Sequence, residues 1–254
     1  MNFSQIWSRI EGRYQRTING ILYRRLMEMS NKISYISFSF DDFPQSALRE
    51  GGEILGRFGL RATYYASLGL MGTEAPPGKI FVAADIKELL ARGHELGCHT
   101  FSHCHSWKTS PQVFEDSIIK NKRALRELVP GATFRTFSYP IICPRPASKR
   151  MIGRHFLCAR GGDQTFNEGK LDLNYLKAYF LEKNRDNPRS VEEIIDRNNR
   201  ARGWLIFATH DVSEDPSPFG CTPSFFEEIV KYSLTSGATI MPVAEALDAI
   251  SIDS

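Results

Sequence analysis

Ser37-Phe38-Ser39-Phe40-Asp41-Asp42 closes an apolar, β-rich run that starts near Ile33. Such a run reads as a buried strand, and sheet enzymes carry their chemistry at the carboxyl ends of strands. Neighbouring residues of a strand point to opposite faces, so two adjacent carboxylates there can take different tasks. One can hold a cation while the other accepts a proton. The competing reading is a turn, because aspartate is common where strands end. The rest of the chain has to decide between them.

The chain has 254 residues, enough for one large α/β domain or two small ones. Its 42% hydrophobic and 24% charged residues are those of a globular protein. A net charge of +3 does not argue for a nucleic-acid partner. No apolar run is long enough to span a bilayer, and the first residues lack the apolar core and cleavage site of a secretory signal. Five cysteines without paired spacing do not make a disulfide framework. Free thiols in a reducing compartment are expected, and with them a cytoplasmic location.

Residues 1–32 read as a separate amphipathic helical segment ahead of a domain spanning 33–254. Phe3, Ile6, Trp7, Ile10, Tyr14, Ile18, Leu22, Leu26 and Met29 recur at helical spacing. Arg9, Arg13, Arg16, Arg24 and Arg25 make the other side basic, and six Lys/Arg stand against two Asp/Glu. A helix of this kind suits peripheral contact with a membrane surface or a partner. It equally suits packing on its own domain with a solvated basic face. Asn19-Gly20 could divide it into two helices.

From residue 33 onward strands and helices alternate. Strands are expected at 33–40, 61–67, 94–99, 133–139, 155–160, 204–209 and 238–241. Helices are expected at 46–58, 84–92, 110–128, 191–202, 222–236 and 244–250. Ser110-Pro111 and Thr222-Pro223 are helix starts, and Gly59 and Gly93 are stops. About seven βα units without a linker predict a parallel (β/α) barrel more than an open sheet. The stretches 167–188 and 211–221 read as loops that shape a groove.

Two further signals sit at expected strand ends. His99-Thr100-Phe101-Ser102-His103 has histidines four apart, which one helical turn would bring to a common metal. Two histidines and one aspartate would leave a coordination position open for water, as hydrolytic sites require. A pair of surface or capping histidines is the alternative. His94 and His105 read as bystanders. The second signal is the apolar strand Trp204 to Thr209, which delivers His210 at its end. Histidine titrates near neutrality and suits general acid work.

Taken in order, Ser39 to Asp42, His99 to His103, Phe137-Ser138-Tyr139-Pro140 and Leu205 to His210 resemble the motifs of the polysaccharide deacetylase family. This is the NodB-homology domain, carbohydrate esterase family 4, and the resemblance covers about residues 33–250. It implies a distorted (β/α) barrel and a metal-dependent hydrolase that removes acetyl groups, mostly N-acetyl, from a carbohydrate substrate. It also implies a divalent metal, usually Zn2+, held by Asp42, His99 and His103. Asp41 would be the base that takes a proton from the attacking water. His210 would be the acid that protonates the leaving amine or alcohol. A backbone N–H near Ile141 would help hold the oxyanion.

The sequence departs from the family pattern in places. Phe43 stands where glycine often follows the aspartate pair. Ser138 stands where an arginine commonly orients the base, and Arg160, at the end of the fifth expected strand, is the candidate to replace it. Asp163 is the candidate to orient His210, with a turn aspartate as the alternative. Cys104 takes the place of a usual proline and reads as a small buried group. These departures keep two other functions in view: hydrolysis of a non-sugar linear or cyclic amide, and a carbohydrate-binding relative without activity. A cytoplasmic enzyme would meet a soluble oligosaccharide or a lipid-carried sugar more readily than mature wall polymer.

Overall fold

The computed structural model describes residues 14, 15, 17–141 and 143–253. The first strand, β1 (Leu26–Glu28), lies outside the barrel. Then come β2 (Tyr35–Phe40), a wide helical turn over Ala47–Gly52 running into α1 (Glu53–Arg57), and β3 (Thr63–Ala66). A small hairpin of β4 (Glu74–Ala75) and β5 (Gly78–Lys79) precedes α2 (Ala83–Ala91) and β6 (Glu95–Cys98). Next are α3 (Pro111–Leu128), β7 (Thr136–Ser138), α4 (Pro146–Ile152), β8 (Cys158–Asp163), β9 (Lys170–Asp172) and β10 (Leu176–Phe180). The chain continues with α5 (Pro188–Ala201), β11 (Trp204–Thr209), α6 (Pro223–Thr235), β12 (Thr239–Ile240) and α7 (Val243–Asp253).

Strands β2, β3, β6, β7, β8, β10 and β11 run parallel in that spatial order, and β11 pairs back with β2 along its whole length. The result is a closed ring of seven strands. Closure removes the sheet edges and points every strand's carboxyl end at one mouth. The expected (β/α) barrel is therefore present, with two strands differing from the sequence reading. β10 belongs to the ring, although its residues fall in a stretch read as loop. β12 pairs only with Tyr35 and Ile36 of β2 and stands outside the ring. The distortion lies here: β3 holds the far half of β2 while β12 holds the near half.

Alternation sets the layers. Phe38 and Phe40 of β2 and Leu205 and Phe207 of β11 join the cluster that packs under Ile194, Ile195 and Phe226 of the helices. Phe38 stacks on Phe207 at 5.4 Å and meets Phe226 edge-on at 5.5 Å. Each such ring contributes about 1.5–3 kcal/mol by leaving water. The intervening Ser37 and Ser39 face the other way, and Ser37 Oγ accepts the indole N–H of Trp204 at 3.0 Å. Helices begin where expected: Ser110 and Thr222 oxygens cap the N–H groups of Val113 and Phe225, each ahead of a proline.

The opening segment is tied to the barrel. Residues 17–21 are helical. The helical spacing does not continue: β1 is a strand, pairing antiparallel with β9 from Leu26↔Asp172 to Glu28↔Lys170. Arg25 donates to the carbonyl of Phe156 at 3.1 Å, and the fully buried Lys149 amine pairs with Asp172 at 2.6 Å. Residues 1–13 and 16, which carry much of the expected amphipathic stripe, lie outside the described residues. Among the described residues no helix is long and apolar enough to cross a membrane.

Candidate active site

The mouth of the barrel gathers residues from across the chain. Asp41 and Asp42 follow β2, His99 follows β6, Arg160 lies in β8, and His210 follows β11. Each sits at or near the carboxyl end of a strand. The loops there bend sharply. Asp42, Phe43, Thr100, His103, Ile141 and Asp163 all have left-handed backbone, with φ from 50° to 90°. Each costs about 1–2 kcal/mol in a non-glycine residue, and packing has to hold it. For Phe43 (φ 51°) the anchor is visible: its ring stacks on Phe81 at 4.9 Å and meets Tyr64 at 5.0 Å. A position that favours glycine is thus held by an aromatic cluster. The two histidines are brought together by these bends and not by a helical turn.

Asp42, His99 and His103 offer ligand atoms that all lie within 4.8 Å of one another. Asp42 Oδ1 is 3.6 Å from His99 Nε2 and 3.4 Å from His103 Nε2. That oxygen is buried and makes no hydrogen bond among the described residues, a costly arrangement for a carboxylate. His99 Nδ1 sits 2.8 Å from the carbonyl of Ser138. A carbonyl only accepts, so Nδ1 carries the hydrogen and Nε2 presents its lone pair. Burial pushes the His99 imidazole down to about 4, with the His103 charge adding to this against Asp41 and Asp42. His99 is therefore neutral at pH 7, the form a metal takes. His103 is the open side of the set, its side chain 30% exposed against 2% for His99. The neutral His99 nitrogen, the Nε2 of His103 and one orphaned carboxylate oxygen fit a divalent cation.

Asp41 is buried beside this set. Its Oδ1 accepts from Arg160 Nη2, and its own backbone N–H donates to the Thr209 carbonyl at 2.9 Å. Burial alone would raise the Asp41 carboxyl. The charges of Arg160, His99 and His210, with the nearby Ser138 hydroxyl, together hold it below the ordinary value. Arg160 is itself fully buried, with its guanidinium 4.9 Å from the Tyr65 ring and 5.8 Å from the Phe180 ring. It faces Ser138 across the β7–β8 pairing. An arginine of the strand that follows the third motif thus contacts Asp41. Cys104 is buried, with Sγ 3.2 Å from Ser102 Oγ and 3.3 Å from Ser117 Oγ.

His210 lies at the edge of the mouth. Its Nδ1 is 3.3 Å from the Phe219 carbonyl, and its ring lies 5.4 Å from the Phe219 ring. Asp163 ends β8, exposed, on the rim of a separate cavity of about 210 Å³ with Arg24, Lys170 and Tyr175. A carboxylate that sequence reading missed stands nearer the chemistry. Glu182 follows β10, and its Oε2 is buried without a hydrogen-bond partner among the described residues. Burial pushes its carboxyl up to about 7, against its own backbone N–H and His210, while Asp41 pushes it further up. Reading Leu176 to Phe180 as a strand would have put Glu182 at a strand end and marked it. Ile141, half exposed in the turn after β7, is where an oxyanion N–H was expected.

The polysaccharide deacetylase family model matches residues 29–147, which include Asp41, Asp42, His99 and His103. Among curated proteins none matches the chain. Solved structures share the fold. The chitin deacetylase of the fungal pathogen Colletotrichum lindemuthianum aligns over 86% of this chain and 89% of its own, at TM-score 0.60 and 15% identity. The Xyl-CE4 domain of a multidomain xylanase from the hindgut metagenome of Trinervitermes trinervoides covers 86% and 91%, at 0.57 and 17%. A family 4 acetyl xylan esterase from Clostridium thermocellum, in complex with a cobalt ion, covers 84% and 89%, at 0.56 and 21%. Such identities establish architecture and leave the activity to the site. Residues 29–147 match the family and the closed seven-stranded barrel is shared with CE4 structures, which together identify a polysaccharide deacetylase domain of the NodB type.

Proposed function

We propose that this protein is a metal-dependent hydrolase that removes acetyl groups, N-acetyl above all, from a carbohydrate. One observation carries the reading: the orphaned Asp42 oxygen faces two histidine nitrogens, and the adjacent Asp41 is gripped by a buried arginine. Asp42, His99 and His103 would hold a divalent cation, with zinc the best match to the donor set. When bound, such a cation supplies Lewis-acid chemistry, polarising the acetyl carbonyl and making the attacking water more acidic.

The protein's own groups divide the proton work. Asp41 is ionised throughout the neutral range. Arg160 occupies one of its oxygens, which leaves the other to receive the proton of the attacking water. A carboxylate held this low is a weak base, so it depends on water that gives up its proton readily. His210, with Nδ1–H directed at Phe219 O, keeps Nε2 for the leaving amine or alcohol. Glu182 is the carboxylate we assign as the companion of His210, in place of Asp163. The Glu182 carboxyl, raised to about 7 by burial, changes its charge near neutrality within electrostatic reach of His210. The backbone N–H at Ile141 remains our candidate for the oxyanion. The similar structures include a chitin deacetylase, a domain of a xylanase and an acetyl xylan esterase, and an acetylated sugar polymer or oligomer is the class proposed here.

The test is metal analysis of the purified protein together with acetate release from N-acetylated and O-acetylated oligosaccharides. Stoichiometric divalent metal and turnover lost in Asp41→Asn are expected. A protein that binds no divalent metal and releases no acetate when metal is added would falsify the reading. Turnover of amides without sugars would redirect it to the non-sugar class, and tight sugar binding without turnover to a binding protein.

A further inference from the structure

The loop from Asp211 to Cys221 folds back onto the strand that carries His210. Asp211 is buried, and its carboxylate accepts both the backbone N–H of Ser217 at 2.8 Å and the Ser217 hydroxyl. That hydroxyl donates to the aspartate and in turn accepts the backbone N–H of Phe219 at 3.1 Å. Phe219 is thereby fixed, and its carbonyl receives three groups. They are the His210 backbone N–H at 3.2 Å, His210 Nδ1 at 3.3 Å and the Thr209 hydroxyl at 3.4 Å. Gly220 closes the turn where no side chain fits. A Cβ there would stand 2.4 Å from the Asp211 carboxyl and 2.5 Å from its carbonyl oxygen. Arg185 holds the outside of the loop through the Ser217 carbonyl at 3.1 Å.

We propose that Asp211 is a positioning residue for His210, acting through Ser217 and the Phe219 carbonyl to fix the imidazole with Nδ1–H inward and Nε2 toward the site. The inference rests on the proposed role of His210, and it adds residues which that role does not contain. A carbonyl oxygen can only accept, so a carbonyl held at Nδ1 selects one neutral tautomer. A carbonyl on a loose loop selects neither. The carboxylate's two bonds to Ser217 are what make the difference, because a carboxylate accepts strongly from both a backbone N–H and a hydroxyl.

The readouts are ¹⁵N NMR of the His210 ring and steady-state kinetics in the full-length protein. In the wild type the neutral ring shows the Nδ1–H tautomer. Asp211→Asn and Ser217→Ala each give a mixture of tautomers. Each lowers kcat roughly tenfold, the scale of outer-shell changes, and leaves KM within about twofold, as loss of a transition-state contact requires. Ser217→Thr keeps the hydroxyl and restores both readouts. The NMR result does not depend on which substrate the enzyme takes. Absence of acetate release from the wild type would sink the deacetylase reading while the tautomer still decides this one. A folded Ser217→Ala or Asp211→Asn protein that keeps a single tautomer and wild-type kcat overturns the proposal, even if the other variant fails to fold.

Discussion

Arg160 reaches Asp41 from β8, standing directly opposite Ser138 of β7 in the strand register. The guanidinium arrives inside the barrel, sandwiched near two aromatic rings, and neutralises a carboxylate that burial would otherwise protonate. Because Asp41 is depressed, its charge contributes stability above an unfolded value of about 3.9. That contribution disappears as pH falls through the folded value. Arg160→Ala removes the opposing charge and leaves burial dominant. The acid limb of the kcat/KM profile should then move to higher pH, and turnover at pH 7 should fall roughly a hundredfold. Unfolding should also become easier by about 3–5 kcal/mol, as when a buried pair loses one partner. A pH–rate profile paired with urea titration checks both, and an unmoved acid limb would contradict the assignment.

Glu182 gives the opposite sign. Its carboxyl is raised to about 7 in the folded protein from an ordinary value near 4.3. Stability from its protonated form is complete below about pH 4 and is lost as pH rises through 7. Glu182→Gln should therefore leave stability unchanged at pH 4. At pH 8 it should raise stability by about 2 kcal/mol, the shift converted and then reduced for partial exposure. Denaturant midpoints at the two pH values measure this. Equal gains at both would mean that ionisation is not the cause.

The buried Asp42 oxygen makes no hydrogen bond among the described residues, a cost that a bound cation would relieve. Asp42→Asn places an amide against two histidine nitrogens that can accept from it. With chelator present the variant should be more stable than the wild type by about 1 kcal/mol. Added zinc should raise the melting temperature of the wild type and leave the variant little changed, since stabilisation follows the ratio of ligand to Kd. Thermal melts with and without metal separate the two effects. A wild-type melt indifferent to zinc would remove the site.

Phe43 carries a left-handed backbone, and glycine there would relax it by about 1–2 kcal/mol. The same change removes a buried ring whose loss costs about 3–5 kcal/mol. Packing wins, so Phe43→Gly should destabilise by about 2–3 kcal/mol. A more stable variant would show that the strain exceeds the packing.

Much of this architecture was legible in residue order. The apolar runs ending in Asp41-Asp42 and His210 are strands at the expected places, and the helix starts at Ser110 and Thr222 are capped as their sequences indicate. Three things were hidden, each for a physical reason. β10 is reached through a short strand and a loop rather than a helix, so the βα alternation that flags the other ring strands is missing there. Glu182 was hidden with it. The approach of His99 to His103 depends on left-handed bends at Thr100 and His103, which spacing alone reads as a helical turn. Arg160 was singled out because it closes the fifth expected strand; in the structure it lies inside β8, and its reach to Asp41 depends on register, which no local pattern encodes.

The pairing of β1 with β9 ties the opening of the chain to the fold. β9 leads straight into the strand that delivers Glu182, and Lys149 is buried where that arm meets residues 19 and 172. Cutting the chain back to residue 33 would strip the brace from the arm, taking the Arg25 backbone N–H from Asp172 and the Asn19 carbonyl from the buried Lys149. Such a truncation would harm the enzyme by unfastening its scaffold, whatever the excised residues do elsewhere. An experiment on the role of the first residues should therefore end its deletion before the segment that docks.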